Sequence, residues 1–248
     1  MHRFFIPRLC FEGDWVRFPE ETAFQIHRVL RLKPGQMVIA LDGEGQEAEV
    51  RLERVESREA EGLVLLQRHA PGEPHFELTM LLALTQRDKF EWMLQKCTEL
   101  GVTQFVPVIC ARSLSHAERE AQKKLDRWQK IVKEAAEQSR RGRVPGVSAV
   151  MRYQDALVNH SMQVGLDLIA WEDEDGQSLR GLMRTAGRQV SQARLLVGPE
   201  GGFELDEVAL ARQYGFIAVS LGRRILRMET AAMACAALIM YEMGEMER

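Results

Sequence analysis

The chain has 248 residues, which is long enough for one large domain or two smaller domains with a substantial core. Its 46% hydrophobic and 28% charged residues are the composition of an ordinary soluble globular protein. The net charge is only −3, and neither residues 1–72 nor residues 73–248 carry an excess of basic residues. Any nucleic-acid surface must therefore be a local patch rather than a global positive field.

The cysteines, histidines and apolar runs argue against metal, disulfide and membrane. Cys10, Cys97, Cys110 and Cys235 are far apart and form no C-x-x-C pair, and the six histidines offer no metal-ligand spacing. The most apolar run, Ala231–Tyr241, is far shorter than the roughly 20 residues needed to cross a bilayer. No apolar export signal is visible at the N-terminus. We therefore expect a cytoplasmic protein with buried thiols and no bound metal.

Residues 1 to about 70 have the pattern of short strands separated by turns. The predicted strands are Arg3–Pro7, Met37–Leu41, Glu47–Val55 and Gly62–Gln67, and one helix is predicted at Glu20–Leu30. This pattern favours a small β-barrel. Two prolines and a glycine in Ala70–His75 interrupt any strand or helix, so we place the domain boundary there, between residues 1–72 and residues 73–248.

Beyond this linker, apolar runs alternate with helical patterns, which indicates an α/β fold with a mainly parallel sheet. The predicted strands are Leu78–Leu84, Phe105–Ile109, Gly165–Trp171, Leu195–Val197 and Phe216–Leu221. The predicted helices are Lys89–Leu100, Ala117–Arg140, Leu179–Arg188, Asp206–Tyr214 and Thr230–Tyr241.

Two glycine-containing turns follow the last two predicted strands. Their sequences are LLVGPEGGF at Leu195–Phe203 and LGRRILRMET at Leu221–Thr230. Loops at the carboxyl ends of neighbouring parallel strands converge on one crevice, and glycines there allow a ligand to approach the backbone. Neither turn matches the dinucleotide or phosphate-loop fingerprints. The turns predict a cofactor pocket of another kind, and the alternative for a lone Gly-Gly turn is a tight strand-to-helix connection.

Read together, these two turns resemble the second and third cofactor loops of SPOUT-class RNA methyltransferases. Further strings resemble the RsmE family of small-subunit ribosomal RNA uridine-N3 methyltransferases, and they lie at Met1–Phe5, His27–Gly35, Gln95–Val102, Arg127–Ile131 and Glu134–Ser139. The resemblance implies an α/β fold with a C-terminal trefoil-knot methyltransferase domain and an N-terminal PUA-like β-barrel that recruits RNA. It also implies S-adenosylmethionine as the cofactor and a homodimer.

The resemblance implies three cofactor loops. The implied cofactor-binding residues are Ala170, Trp171 and Glu172 in the first loop, Leu196, Val197, Gly198, Pro199, Glu200, Gly201 and Gly202 in the second, and Leu221, Gly222, Ile225, Leu226, Met228 and Ala231 in the third. For Glu200, a contact with the cofactor's amino group or ribose and a turn cap are equal alternatives. Glu204 stands where a Ser or Thr helix cap is usual, and we interpret it as structural.

Uridine N3 carries a proton and is a poor nucleophile until that proton leaves, so an enzyme must stabilise the uracil anion. Arg227 and Glu229 flank the third loop. We predict that Arg227 stabilises the anion and that Glu229 accepts or positions the proton. The alternative is an internal Arg–Glu ion pair.

Arginines supply the candidate RNA contacts. Arg140, Arg141 and Arg143 lie on a glycine-flanked turn after a long basic helix, which suits RNA phosphates. Arg3, Arg28 and Arg31 extend the predicted patch, and for all six the alternative is a helix-end charge or a solvated face.

The predicted function is methylation of N3 of a uridine in small-subunit (16S) ribosomal RNA, either free or in the assembled subunit. The alternatives are a related enzyme that acts on transfer RNA or on a ribose hydroxyl, and a non-catalytic ribosome-assembly factor.

Overall fold

The computed structural model describes residues 1–113, 124–158, 165–187 and 190–247. The chain forms two compact units. The first contains Met1–Glu73 together with Ala136–Val144, and the second contains Pro74–Ala135 and Pro145–Arg248. The start of the predicted helix Ala117–Arg140 and the end of the predicted helix Leu179–Arg188 lie outside the described residues.

The first unit is built on a six-stranded sheet. Its strands are β1 His2–Phe5, β2 Phe11–Glu12, β3 Trp15–Phe18, β4 Met37–Leu41, β5 Gln46–Val55 and β6 Ala60–His69. They are ordered β1-β4-β5-β6-β3-β2, and only the β1–β4 pair is parallel. Within the described residues no strand pairing joins β1 to β2, so closure into a barrel stays a prediction.

A helix and a late segment of the chain complete this unit. Helix α1, Glu20–Phe24, continues as a π-helical turn at Gln25–Val29. Ala136, from the late segment, is fully buried in a cluster with Phe5, Ile39, Leu41 and Ala70. The sequence pattern predicted the helix but not the return of the late segment.

The second unit is built on a sheet of parallel strands. Its strands are β7 Glu77–Ala83, β8 Gln104–Ile109, β9 Gly146–Val147, β10 Met151–Arg152, β11 Gly165–Ala170, β12 Gln192–Val197 and β13 Ile217–Val219. The order is β10-β8-β7-β12-β11-β13, with β9 paired to β8. The predicted parallel α/β sheet is confirmed, and the short strands β9 and β10 were not predicted.

Helices connect these strands. They are α2 Arg87–Glu99, α3 Leu125–Gln138, α4 Tyr153–Leu157, α5 Leu179–Ala186, α6 Leu205–Gln213 and α7 Met228–Glu242. Strand β7 is an almost continuous apolar run with Leu78, Met80, Leu81 and Leu82 buried, as expected for a parallel strand covered on both faces. Helix α2 buries one stripe of side chains against this core and ends before Gly101, whose φ is +98°.

All four cysteines are buried free thiols, as predicted. Burial raises the pKa of the Cys235 thiol to about 12. Across the described ranges, no helix is long and apolar enough to span a membrane, and no three His, Cys, Asp or Glu side chains gather in a metal-binding cluster.

Candidate active site

Three strands of the second unit end side by side. In the parallel ladders, Ala170 at the end of β11 is in register with Val197 of β12 and Val219 of β13. The loops that follow these strands therefore begin at one edge of the sheet, as the sequence pattern predicts. These are the three loops that the resemblance assigned to a cofactor.

A cavity of about 490 Å³ opens between these loops. Its wall contains Lys89, Ala170, Glu172, Val197, Gly198, Pro199, Glu200, Gly202, Phe203, Ile225, Leu226, Arg227, Met228, Glu229 and Ala231. An adjoining cavity of about 60 Å³ shares four of these residues and adds Trp171, Val219, Ser220, Leu221, Gly222 and Arg224. The two walls include every predicted cofactor residue except Leu196 and Gly201. Leu196 is buried within β12, and Gly201 is exposed.

The glycines of the second loop have different roles. At Gly198 a Cβ atom would meet the Phe203 ring at 2.7 Å, so this glycine permits packing. Gly202 has φ +72°, and a Cβ atom there would overlap the Glu172 carboxylate. The Gly201 carbonyl accepts a hydrogen bond of 2.6 Å from Arg112. Of these three glycines, Gly202 alone combines a left-handed backbone with a position in the cavity wall.

Glu207 stabilises the end of the second loop. Its side chain is buried, and its carboxylate accepts the backbone N–H of Ala111 at 2.8 Å and that of Glu204 at 3.0 Å. Glu204 and Glu207 form a reciprocal capping box at the start of α6, which confirms the structural interpretation of Glu204.

The first loop contacts helix α6 and strand β13. The Trp171 backbone N–H donates to the Val219 carbonyl at 3.2 Å. Arg212 of α6 lies over the Trp171 ring, 5.4 Å from its centre, and pairs with Glu174 at 2.9 Å. The cavity wall is thus held by contacts among its own supporting elements.

Two charged side chains of the cavity wall, Lys89 and Glu200, form an ion pair. Glu200 accepts a hydrogen bond of 2.6 Å from the Lys89 ammonium and one of 3.2 Å from the Thr85 hydroxyl. The hydrogen bond from Lys89 is the main cause that lowers the pKa of Glu200, and it outweighs the opposing effect of partial burial. The charges of Lys89 and Arg227 lower this pKa further.

Lys89 and Thr85 were not predicted as site residues. Both follow strand β7, which ends at Ala83 and pairs in parallel with β12. The carboxyl end of β7 lies at the same edge as the three loops. The rule that located the glycine turns, applied to β7 as well, identifies both residues from the sequence.

Arg227 and Glu229 both line the cavity. Arg227 is exposed at the N-cap of α7, and Glu229 lies in the first turn of that helix. Among the described side chains no ion pair joins the two, and Glu229 Oε2 is buried without a hydrogen-bond partner. The structure therefore does not support the alternative of an internal Arg–Glu ion pair. The buried Glu229 oxygen can instead accept a hydrogen bond from a ligand.

Two of the six predicted RNA contacts lie in the interior of the first unit. The Arg141 side chain is 3% exposed and pairs with Glu73 at 2.8 Å, and the Arg3 side chain is 11% exposed and pairs with the buried Glu47. Buried guanidinium groups need a carboxylate partner, and these two have one. The prediction that Arg3 and Arg141 contact RNA is therefore corrected to a structural role.

The other four predicted contacts are exposed. They are Arg28, Arg31, Arg140 and Arg143. Arg31 and Arg140 have φ of +54° and +65°, and the Arg143 guanidinium donates to the Glu44 carbonyl at 3.3 Å. These side chains remain available to a phosphate backbone.

Comparison with known proteins gives consistent matches. A family model of RNA methyltransferase domains matches residues 72–240. The ribosomal RNA small subunit methyltransferase E of Bacillus subtilis is 33% identical over 226 residues, covering 90% of this chain and 88% of that protein. The protein of the same description from Synechocystis is 35% identical over 221 residues, covering 88% of this chain and 71% of that protein.

Solved structures match over nearly the whole chain. A ribosomal RNA small subunit methyltransferase E from Neisseria gonorrhoeae bound to S-adenosyl methionine has a TM-score of 0.87 and 34% identity, with 97% of both chains covered. A methyltransferase from Legionella pneumophila in complex with the same cofactor has a TM-score of 0.84 and 25% identity, with 96% of both chains covered.

Proposed function

This chain belongs to the ribosomal RNA small subunit methyltransferase E family, and on that premise we propose that it methylates N3 of a uridine in small-subunit ribosomal RNA. The methyl donor is S-adenosylmethionine. The observation that carries the proposal is the cavity at three adjacent strand ends, whose wall includes Glu229 with an unpartnered buried carboxylate oxygen.

The cavity suits the cofactor in size and in chemistry. Its volume of about 490 Å³ lies in the usual range for small-molecule sites, roughly 300–1,000 Å³. Backbone and small residues such as Ala170, Gly198, Gly202 and Ala231 form much of its wall, so a flat adenosine meets main-chain donors and acceptors. When bound, the cofactor supplies an electrophilic methyl group on a sulfonium.

Arg227 and Glu229 are the residues that act on the uracil. We assign Glu229 Oε2 as the acceptor of the N3 proton, because a buried oxygen without a partner gains most from a new donor. Arg227 is exposed and lines the same cavity, and it donates to a uracil oxygen on which negative charge develops.

The domain architecture, the oligomeric state and the cellular location belong to the same proposal. We assign residues 1–72, together with residues 136–144 that pack with them, to a PUA-like barrel that recruits RNA, and the rest of residues 73–248 to a knotted methyltransferase domain. The match over 97% of both chains to the Neisseria structure supports these assignments. The exposed side chains of Leu238 and Tyr241 on helix α7 support a homodimer. A protein that acts on ribosomal RNA works in the cytoplasm, and we assign this chain there.

The reaction is tested by mass spectrometry of modified nucleosides in ribosomal RNA from cells with and without the gene. We expect N3-methyluridine to disappear from small-subunit RNA in the deletion strain and to return when the gene is restored. An unchanged level of this nucleoside in the deletion strain contradicts the assignment.

The roles of Arg227 and Glu229 are tested by single-turnover methylation at saturating RNA and cofactor. Arg227→Lys keeps the charge but loses the planar fork, and we expect a rate loss of roughly a hundredfold, about 3 kcal/mol. Glu229→Gln also slows the step, and higher pH partly restores the rate because uridine then ionises without help. Wild-type rates in both folded variants remove these residues from the chemistry.

A further inference from the structure

Lys89 lies in the cavity wall, although neither the family resemblance nor the proposed function assigns it a role. It belongs to the first turn of α2, and its side chain is 32% exposed. Its ammonium is 2.6 Å from Glu200 Oε1, which the Thr85 hydroxyl also contacts. Glu200 and Thr85 thus fix the position of a cation in the cavity wall.

The ammonium has donors to spare. A lysine ammonium carries three N–H donors, and Glu200 is its only hydrogen-bond partner within the described structure. Arg227 lines the same cavity, and its charge also lowers the pKa of Glu200. The N–H donors of Lys89 that Glu200 does not use are therefore available in the cavity wall.

This arrangement matches the charge distribution of a uracil anion. Loss of the N3 proton spreads negative charge over N3 and over the carbonyl oxygens on its two sides. Two donors are therefore needed for full stabilisation, one for each oxygen. Arg227 supplies one donor, and Lys89 is a second cation of the same cavity wall.

We propose that Lys89 is a catalytic residue that donates to one carbonyl oxygen of the target uracil, and that Glu200 positions it. The inference rests on the proposed function. The N3 proton passes to Glu229, the N3 electron pair forms the bond to the methyl carbon, and the electrons of the broken carbon–sulfur bond stay on sulfur. Lys89 remains protonated throughout.

The charged groups around Lys89 determine how its removal changes the pH–rate profile. The charged groups that share the cavity wall with Lys89 are Glu172, Glu200, Arg227 and Glu229. On the helix of Lys89, Glu91 is occupied by Arg87 and by Arg127. Removal of the Lys89 charge therefore leaves Arg227 as the only cation among the described residues of this wall.

The test compares Lys89→Met with Lys89→Arg and with Lys96→Met. Lys96 is a matched control because it lies on the same helix, is 35% exposed and pairs with Glu99 at 2.8 Å. We expect Lys89→Met to lower the single-turnover rate about a hundredfold and to move the pH–rate profile up by about one pH unit or more. Cofactor affinity, measured by calorimetry, stays within about twofold of wild type, and Lys89→Arg shifts the profile less.

Glu200→Gln provides a second measurement. If Glu200 acts through Lys89, the double variant Lys89→Met with Glu200→Gln is no slower than Lys89→Met alone. Additive rate losses contradict the positioning role of Glu200.

Two outcomes overturn the role of Lys89. A large loss of cofactor affinity with an unchanged pH profile assigns the ammonium to the cofactor's carboxylate. Wild-type rate and affinity in folded Lys89→Met reduce the Lys89–Glu200 contact to an exposed ion pair. Failure of the proposed function is distinguishable, because the wild-type enzyme then forms no N3-methyluridine at all.

Discussion

One backbone angle shapes the second cofactor loop. Gly202 has φ +72°, which costs roughly 1–2 kcal/mol for a residue with a Cβ atom, and that atom would also displace Glu172 from the cavity wall. We expect Gly202→Ala to weaken S-adenosylmethionine binding at least tenfold by calorimetry. Gly201→Ala is the control, because its Cβ atom meets only the flexible Arg112 side chain, at 3.2 Å. Equal affinities in the two variants would place the cofactor elsewhere.

A buried carboxylate in the first unit gives a pH dependence. Burial alone would raise the pKa of Glu47, but hydrogen bonds and charges from Arg3 and Arg68 outweigh it and hold the pKa below its usual range. The stabilisation from Glu47 is therefore complete above the ordinary glutamate pKa of about 4.3 and is lost as the pH falls through the lowered value.

We expect Glu47→Gln to destabilise the first unit by about 3 kcal/mol at pH 7, because Arg3 keeps a buried charge without its partner. The difference from wild type shrinks below about pH 4. Hydrogen exchange of strands β4 and β5 at pH 7 and at low pH measures both effects. Glu49→Gln is the control, since Glu49 is 28% exposed and contributes less. A difference between Glu47→Gln and wild type that stays constant with pH contradicts this account.

At the scale of elements, hydrophobic periodicity was sufficient wherever a strand or helix buries a long apolar face. Strand β4 was predicted at its observed limits, Met37–Leu41, and α7 within two residues of Met228–Glu242. The two-residue strands β9 and β10 are too short to show any period. The π-helical turn at Gln25–Val29 has the same apolar spacing as an α-helix, so the sequence pattern does not distinguish them.

The start of α6 is an element whose stability affects the cofactor loop. Glu207→Ala removes the acceptor for the backbone N–H groups of Ala111 and Glu204, and each unsatisfied buried group costs roughly 1–3 kcal/mol. We expect a lower thermal midpoint and weaker cofactor binding, because α6 directly follows the second loop. Asp206→Ala is the matched control: Asp206 is an exposed acid of the same helical turn and contributes about 0.5 kcal/mol. If Glu207→Ala binds the cofactor as tightly as wild type does, the helix cap does not influence the cofactor site.

At the scale of the whole molecule, the parallel sheet explains why the two predicted glycine-containing turns start at the same edge, and the first loop came from the family resemblance. The sequence pattern did not reveal that residues 136–144 belong to the first unit, because contacts between distant segments leave no local period. Because residues 136–144 pack into the first unit, Arg141 is buried there and pairs with Glu73 instead of contacting RNA. Glu73 receives hydrogen bonds from the Arg141 guanidinium and from the backbone N–H groups of Gly142 and Arg143, so it holds the turn that carries the basic run.

The basic run therefore divides into exposed and buried arginines, and RNA binding distinguishes them. We expect Arg140→Ala with Arg143→Ala to weaken RNA binding and to reduce the log–log salt slope by roughly 0.7 for each phosphate that the variant no longer binds, with cofactor affinity unchanged. Arg141→Ala instead lowers the stability of the first unit by about 3 kcal/mol or more, because Glu73 loses its buried partner. Binding titrations of a ribosomal RNA fragment across several salt concentrations, together with thermal unfolding, measure the two effects. If the salt slope of the double variant equals that of wild type, Arg140 and Arg143 are solvated helix-end charges and the RNA lies on another surface.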